Sequence, residues 1–271
     1  MHREAPMART QRIHGWRRVA GAMWHAPDDP QIYGTLDVDA RPAEAFIARA
    51  RAEGRRVTPT HLVGRALAHA LDQVPELNVR IRRGRARPRR SVDVFFIPAV
   101  GGGHDLSGVR VDDADRKTVF EIAEELDARS AAMKRGDDAD FRRTKHMIDR
   151  LPAWLLRPTL RTTAFVTQEL GLEIPRLSLH RDPFGSAMVS SVGMFGLSRG
   201  FAPLAWMYDV PVLLVVGEIA DQPVAVDGQL AVQRTLPISA TIDHRYVDGW
   251  HVSRALTAFH AYLADPEEAE H

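Results

Sequence analysis

The chain has 271 residues, 45% of them hydrophobic and 26% charged, a globular composition in which disorder is not the default. Its 36 Lys and Arg nearly balance 35 Asp and Glu, and the net charge of +1 argues neither for nucleic acid nor for an acidic target. The absence of cysteine excludes disulfides, thiolate metal sites and a cysteine nucleophile, and fits a cytoplasmic protein.

The opening MHREAPMARTQRIHGWRR is basic but lacks the apolar run of a secretory signal. "VTPTHLVGRALAHALDQVPEL" predicts a helix capped by Thr58, with Pro59 in its first turn. Leu62, Val63, Ala66, Leu67, Ala70 and Leu71 share one face, which should pack on a sheet. "RIRRGRARPRR" at 80–90 holds seven arginines in eleven residues and reads as a basic hairpin or loop. It is expected to be a solvated charge run, with attraction of a ligand's phosphates or an acidic partner as the functional alternative.

"SVDVFFIPAV" reads as a strand. The three glycines of "GGGHDLSGV" at 101–109 sit in no phosphate-loop pattern. "TVFEIAEELDARSAAMKRG" predicts a helix with Ile122, Ala123 and Leu126 inward and Gly136 at its end. Residues 137–170 look like further helix broken near Pro152 and Pro158. "LPAWLLRPTLRTTAFV" is too short, and too interrupted by Arg157 and Arg161, to cross a bilayer.

The pattern then turns to strands. "GSAMVSSVG", "PVLLVVGEI", "PVAVDGQLAVQ" and "TLPISATID" follow, with Asp227-Gly228 as a hairpin signal. The apolar run Val210–Val216 suggests a strand covered on both faces. "GWHVSRALTAFHAYLADPE" closes the chain as a helix, with Val252, Ala255, Leu256, Phe259, Tyr262 and Leu263 at helical spacing. These elements imply a mixed α/β fold in which helices cover a large sheet.

Between the last strand and last helix stands "DHRYVDG". A histidine at a strand end holds its ring rigidly, and a neutral imidazole is suited to accept a proton near pH 7. Taken alone, His244 reads as an ordinary surface or packed histidine, Asp248 as a helix cap, and Gly249 as a tight entry to the helix. His244 and Asp248 are spaced for metal chelation only if both lie on one helix, which the preceding strand argues against.

The "DHRYVDG" segment resembles the His-x-x-x-Asp-Gly signature of the catalytic domain of 2-oxoacid dehydrogenase acyltransferases, a domain with a chloramphenicol acetyltransferase-like fold. "WRRVAGAM" at 16–23 resembles that domain's opening helix, "LDVDARPAEAFIARAR" at 36–51 its first strand and helix, and "MVSSVGMFG" at 188–196 its Ser/Thr-Asn-x-Gly segment. Ser191 stands where the family often has Asn. The resemblance implies an α+β two-layer sandwich over 16–267, preceded by an extension at 1–15 and carrying a divergent helical segment at 137–183. It further implies that the lipoyl and subunit-binding domains of full-length relatives are absent.

By this resemblance the chain moves an acyl group between thiols, from acyl-dihydrolipoamide to coenzyme A or back. His244 is then the general base, Ser190 the hydroxyl that stabilises the tetrahedral intermediate, and Asp248 the residue that orders the site. No metal is expected; coenzyme A is a substrate, and a lipoyl group would come on a separate protein. The family also implies a homotrimer with active sites between subunits, the histidine from one chain and the serine from its neighbour, and a dehydrogenase component as a further partner. Gly193 and Gly196 allow a tight turn or close backbone approach after the serine strand. Two other readings use the same features: a catalytically weak trimeric scaffold, or an acetyltransferase acting on a small-molecule acceptor.

Overall fold

A computed structural model describes residues 29–82, 84–97, 99–100, 105–106, 108–135, 152–172, 182–205, 208–226 and 228–270. The expectations for the 1–15 extension, the 16–23 helix, the 101–104 glycine stretch, Gly136, 137–151, 173–181 and Asp227 fall outside them. The elements below all belong to the compact unit Gln31–His271.

Strand β1 (Gln31–Asp39) leads into helix α1 (Arg41–Ala52), and α2 (Pro59–Gln73) follows. The Thr58 hydroxyl accepts the His61 backbone N–H at 3.4 Å, satisfying one of the orphan donors of a helix start, and Pro59 lies at the first turn. The six residues expected on the inner face of α2 are all buried. Gly64 sets how closely this helix approaches the sheet, because a Cβ there would fall 2.2 Å from the Phe96 ring.

A hairpin of β2 (Val79–Arg82) and β3 (Arg85–Pro88) leads to β4 (Val94–Ile97). A two-residue pair of β5 (Ala99–Val100) and β6 (Asp105–Leu106) follows, then β7 (Val109–Val111) and α3 (Val119–Arg135). Ile122, Ala123 and Leu126 of α3 are buried as expected. In the divergent segment, α4 (Ala153–Ala164) runs through Pro158, so this proline does not break the helix as the sequence suggested. Proline costs a helix one backbone bond and crowds the carbonyl four residues back. Here the Thr159 and Thr162 hydroxyls donate to the Leu155 and Pro158 carbonyls at 2.8 and 3.0 Å.

Strands β8 (Ala187–Ser191), β9 (Val212–Val216), β10 (Ala220–Val226) and β11 (Gln229–Asp243) precede helix α5 (Gly249–Ala264) and the short α6 (Pro266–Ala269). The main sheet has seven strands in the order β1-β11-β9-β8-β4-β7, with β10 paired to β11. Its β4, β8 and β9 run parallel; the other pairings are antiparallel. Central β9 is flanked on both edges and is apolar on both faces, which explains its uninterrupted hydrophobic run.

The two faces divide by the period of two along each strand. Val94, Phe96, Val189, Leu214, Val216, Ile238 and neighbours pack with α1, α2, α3 and α5 in the main core. Met188, Leu213 and Val215 point the other way, to a smaller cluster with Phe95, Phe184, Ala202, Leu204 and Tyr208. Under the first half of α5 the packing is open: a cavity of about 270 Å³ lies between Leu71, Leu77, Ile242, Val252, Leu256 and Phe259. Leu256 is accordingly exposed, whereas Phe259, Tyr262 and Leu263 further along α5 are buried.

Candidate active site

Strand β11 stops at Asp243 because the next residues turn. The Tyr246 N–H returns to the Asp243 carbonyl at 3.0 Å, and the Asp243 N–H donates to the Pro211 carbonyl at 2.9 Å. The buried Asp243 carboxylate accepts the Arg245 backbone N–H at 2.9 Å and the Arg245 guanidinium at 2.6 to 3.0 Å. His244 therefore sits between two anchored residues, and its side chain is exposed. This is the strand-end presentation that the sequence suggested, and no continuous helix joins His244 to Asp248.

Asp248 caps α5. Its carboxylate accepts the Trp250 N–H at 3.0 Å and the His251 N–H at 3.2 Å, and lies 2.8 Å from Nδ1 of His251. The His251 backbone N–H and ring, with the Trp250 N–H, hold this carboxyl below the usual carboxylate range. The histidine it touches is thus His251, which the motif gave no reason to single out.

Tyr246 and Val247 turn inward and are buried. The Tyr246 hydroxyl donates to Asp209 Oδ1 at 2.6 Å. Burial raises its phenol above the ordinary value, the Asp209 charge adds to this, and a hydrogen bond from the Ile81 backbone opposes it. Asp209 also pairs with the Arg82 guanidinium, and Arg89 donates to its backbone carbonyl at 2.5 Å. Arg82 Nε donates to the Gln168 carbonyl, and Asp182 pairs with Arg80 and, at 3.4 Å, with Arg89.

The arginine run consequently departs from the expected solvated face. It does form a hairpin, and Arg85 and Arg87 are exposed, but the side chains of Arg80, Arg82 and Arg89 are largely shielded in ion pairs. A charge taken out of water costs several kcal/mol unless partners surround it. Here two aspartates, each at a positive φ (51 to 56° for the three non-glycine cases among the described residues, Asp113, Asp182 and Asp209), supply those partners. The alternation of Arg80 and Arg82 along one strand face was the signal available in the sequence; nothing local pointed to Asp182 or Asp209.

Ser190 lies on β8, half-exposed, in the same lateral row as Ile97, Val215 and Ser239. Because β8 parallels β9 and β11 opposes it, Ser190 is near one end of the sheet and His244 at the other. Five residues of strand and two strand spacings separate them, roughly 20 Å. After Ser191, a Cβ on Gly193 would lie 2.6 Å from the Gly217 carbonyl oxygen, and Gly196 has φ +73°, so both glycines serve the close turn expected of them. The turn after β8 exposes Met194, Phe195 and Leu197, while the exposed Phe201 packs edge-on at 5.3 Å against Tyr33, which pairs with Thr241 of β11. Among the described residues, no group of three or more metal-ligating side chains converges, and no helix is long and apolar enough to cross a membrane.

With this geometry in place, comparison is informative. The profile of the 2-oxoacid dehydrogenases acyltransferase catalytic domain matches residues 5–140 and 180–270. The chain belongs to this family. The unmatched 141–179 lies within the segment that the sequence marks as divergent. A relative, dihydrolipoyllysine-residue acetyltransferase component 5 of the chloroplastic pyruvate dehydrogenase complex of Arabidopsis thaliana, is 24% identical over 238 residues. That match covers 86% of this chain and 41% of the relative, so the chain spans well under half of the relative's length. A probable dihydrolipoamide acetyltransferase from Listeria monocytogenes has the same fold, with a TM-score of 0.64 at 19% identity over 96% of both chains. The truncated catalytic core of a 2-oxoacid dehydrogenase complex from Thermoplasma acidophilum superimposes with a TM-score of 0.61 at 18% identity, over 96% of this chain and all of that one.

Proposed function

We propose that the chain is a coenzyme A-dependent acyltransferase that moves an acyl group between the thiols of dihydrolipoamide and coenzyme A, with His244 as general base. The observation that carries this reading is the exposed imidazole at the end of β11, fixed on both sides by Asp243 and Tyr246 inside the family's His-x-x-x-Asp-Gly segment. His244 takes the proton of the attacking thiol as its sulfur adds to the thioester carbonyl. The resulting oxyanion accepts a hydrogen bond from the Ser190 hydroxyl; the carbon–sulfur bond to the leaving group then breaks, and the leaving thiolate recovers the proton from His244.

A thiol is about 2 pKa units less acidic than imidazolium, so complete transfer before attack costs roughly 2.7 kcal/mol. Orientation supplies up to about 7–11 kcal/mol in favourable cases, so positioning outweighs base strength. One well-aimed oxyanion donor adds about 2.7–4 kcal/mol.

The roughly 20 Å between His244 and Ser190 supports an active site shared by two copies, as in a homotrimer, each chain giving its histidine to one site and its serine to another. The exposed apolar residues beside Ser190 support the same assembly. In this reading Asp248 orders the start of α5 behind the base, coenzyme A is a substrate, no metal takes part, and a lipoylated protein of a dehydrogenase complex delivers the acyl group in the cytoplasm. The test is acetyl transfer from acetyl-coenzyme A to dihydrolipoamide, followed by chromatographic separation of coenzyme A from its thioester. His244→Ala is expected to lower turnover by about 10²–10⁴-fold; equal turnover in both proteins would overturn the assignment.

A further inference from the structure

We infer that Tyr246, Asp209 and Arg82 form a buried brace that positions His244, making the arginine hairpin β2–β3 part of the catalytic apparatus without touching substrate. This rests on the reading of His244 as the base. The chain of contacts is short. His244 is two residues from Tyr246, whose hydroxyl reaches Asp209 at 2.6 Å; Asp209 pairs with Arg82; and Arg82 also donates to the carbonyls of Gln168 and, at 3.0 Å, Ile81.

Three features single out this cluster from ordinary packing. The buried Tyr246 hydroxyl ties the turn after β11 to the Asp209 carboxylate and to the Ile81 backbone of β2, not to the seven-stranded sheet. Asp209 has φ +55°, a backbone state that non-glycine residues keep only where surrounding contacts impose it, and such strain gathers near functional sites. The segment Asp209–Val212 also serves the turn from its other side, since the Pro211 carbonyl accepts the Asp243 N–H. Asp209 and Pro211 thus grip the His244 turn at Tyr246 and at Asp243, and the hairpin arginines hold that grip in place. Through Gln168, the divergent segment is joined to the same brace.

Tyr246→Phe keeps the ring and removes the hydroxyl with its bonds to Asp209 and to the Ile81 backbone. It is expected to reduce kcat roughly tenfold while leaving KM for coenzyme A within about twofold, since a 1 Å misplacement costs up to ~100-fold in rate. Asp209→Asn and Arg82→Lys should lower kcat by less, and combining either with Tyr246→Phe should add little, because both act through one path. A second readout does not require turnover: the ring Cε1–Hε1 signal of His244 in NMR spectra of the full chain should shift or double in Tyr246→Phe, with thermal unfolding showing an intact fold. An unmoved His244 signal overturns the brace whatever the activity. If wild-type chain transfers no acyl group but the signal moves, the proposed reaction fails and the positioning stands.

Discussion

The two ends of the sheet follow opposite plans. Where β11 ends, the Asp243–Arg245 pair, the Tyr246–Asp209 bond and the Arg82 and Arg89 contacts complete the turn within one chain. Where β8 ends, Ser190 is followed by a turn that leaves the apolar side chains of Met194, Phe195 and Leu197 exposed. One end holds its turn through bonds within the chain, and the other exposes apolar residues next to its serine. In the proposed shared site, the first end would be the half that one copy organises and the second the half that meets another copy.

The largest effect tests that division directly. His244→Ala should depress turnover by about 10²–10⁴-fold and Ser190→Ala by about 10²–10³-fold. Mixed assemblies of the two variants should regain roughly a quarter of wild-type activity, because random pairing places an intact histidine opposite an intact serine that often. If assemblies shown by mass spectrometry to contain both variants remain inactive, the two ends do not serve one site.

The next effect belongs to neither end. Burial holds the His61 imidazole at the start of α2 down to about 4, with Asp127 pulling it up and Arg56 pulling it down, and its Nδ1 has no hydrogen-bond partner among the described residues. The unfolded chain, with an ordinary imidazole, then binds more protons than the folded one between about pH 6.5 and pH 4. Stability is therefore full above that window and falls through it as pH drops, by up to about 3 kcal/mol. Denaturant titrations across pH should show this slope in wild type and in His244→Ala, and a flattened one in His61→Leu. A slope that His61→Leu leaves unchanged would overturn the buried histidine as its source, and one that His244→Ala removes would assign it to the exposed end.

Much of this was readable from sequence, for identifiable reasons. The α2 face was legible because its inward residues repeat at helical spacing, and β9 because a strand enclosed on both faces has no polar positions. The His244 turn was legible from a patterned motif. The brace was not, because Arg82, Asp209 and Tyr246 are 127 and 37 residues apart in successive steps and only the folded chain brings them together. Pro158 misled because proline reads as a helix breaker, while α4 continues through it without the one backbone bond that proline cannot donate. The partner of Asp248 was missed because His251 falls three residues into the helix, a spacing visible in the sequence but without meaning until the cap is seen.

A smaller effect separates the two duties of Asp248. Asp248→Ala removes an acceptor for two backbone N–H groups and should lower Tm by a few degrees, roughly what a lost N-cap costs a domain of this kind. Asp248→Asn restores a good cap but not the charge beside His251, so it should recover Tm. If turnover recovers with it, the residue acts on the braced end through the helix start alone. Continued loss of turnover in the Asn variant would instead make the carboxylate charge part of the site.

The smallest change in chain stability is expected at the uncovered surface. Leu230 and Val232 on the β10–β11 hairpin are 84% and 76% exposed, so they contribute little to the core of their own chain. Leu230→Ser should leave unfolding free energy within about 0.5 kcal/mol when chains are dilute and separate. Phe195→Ser, beside the Ser190 strand, should be equally mild in the dilute chain. At higher concentration the two surfaces are expected to part company, and sedimentation velocity would show it. Phe195→Ser should weaken association and carry turnover down with it, since the serine loses the neighbour that brings a histidine. Leu230→Ser should reduce association only if the hairpin also contacts that neighbour. Assembly of Phe195→Ser at the wild-type concentration would mean that the exposed residues beside Ser190 are not the surface that receives the second copy, and the contrast between the ends would lose its structural basis.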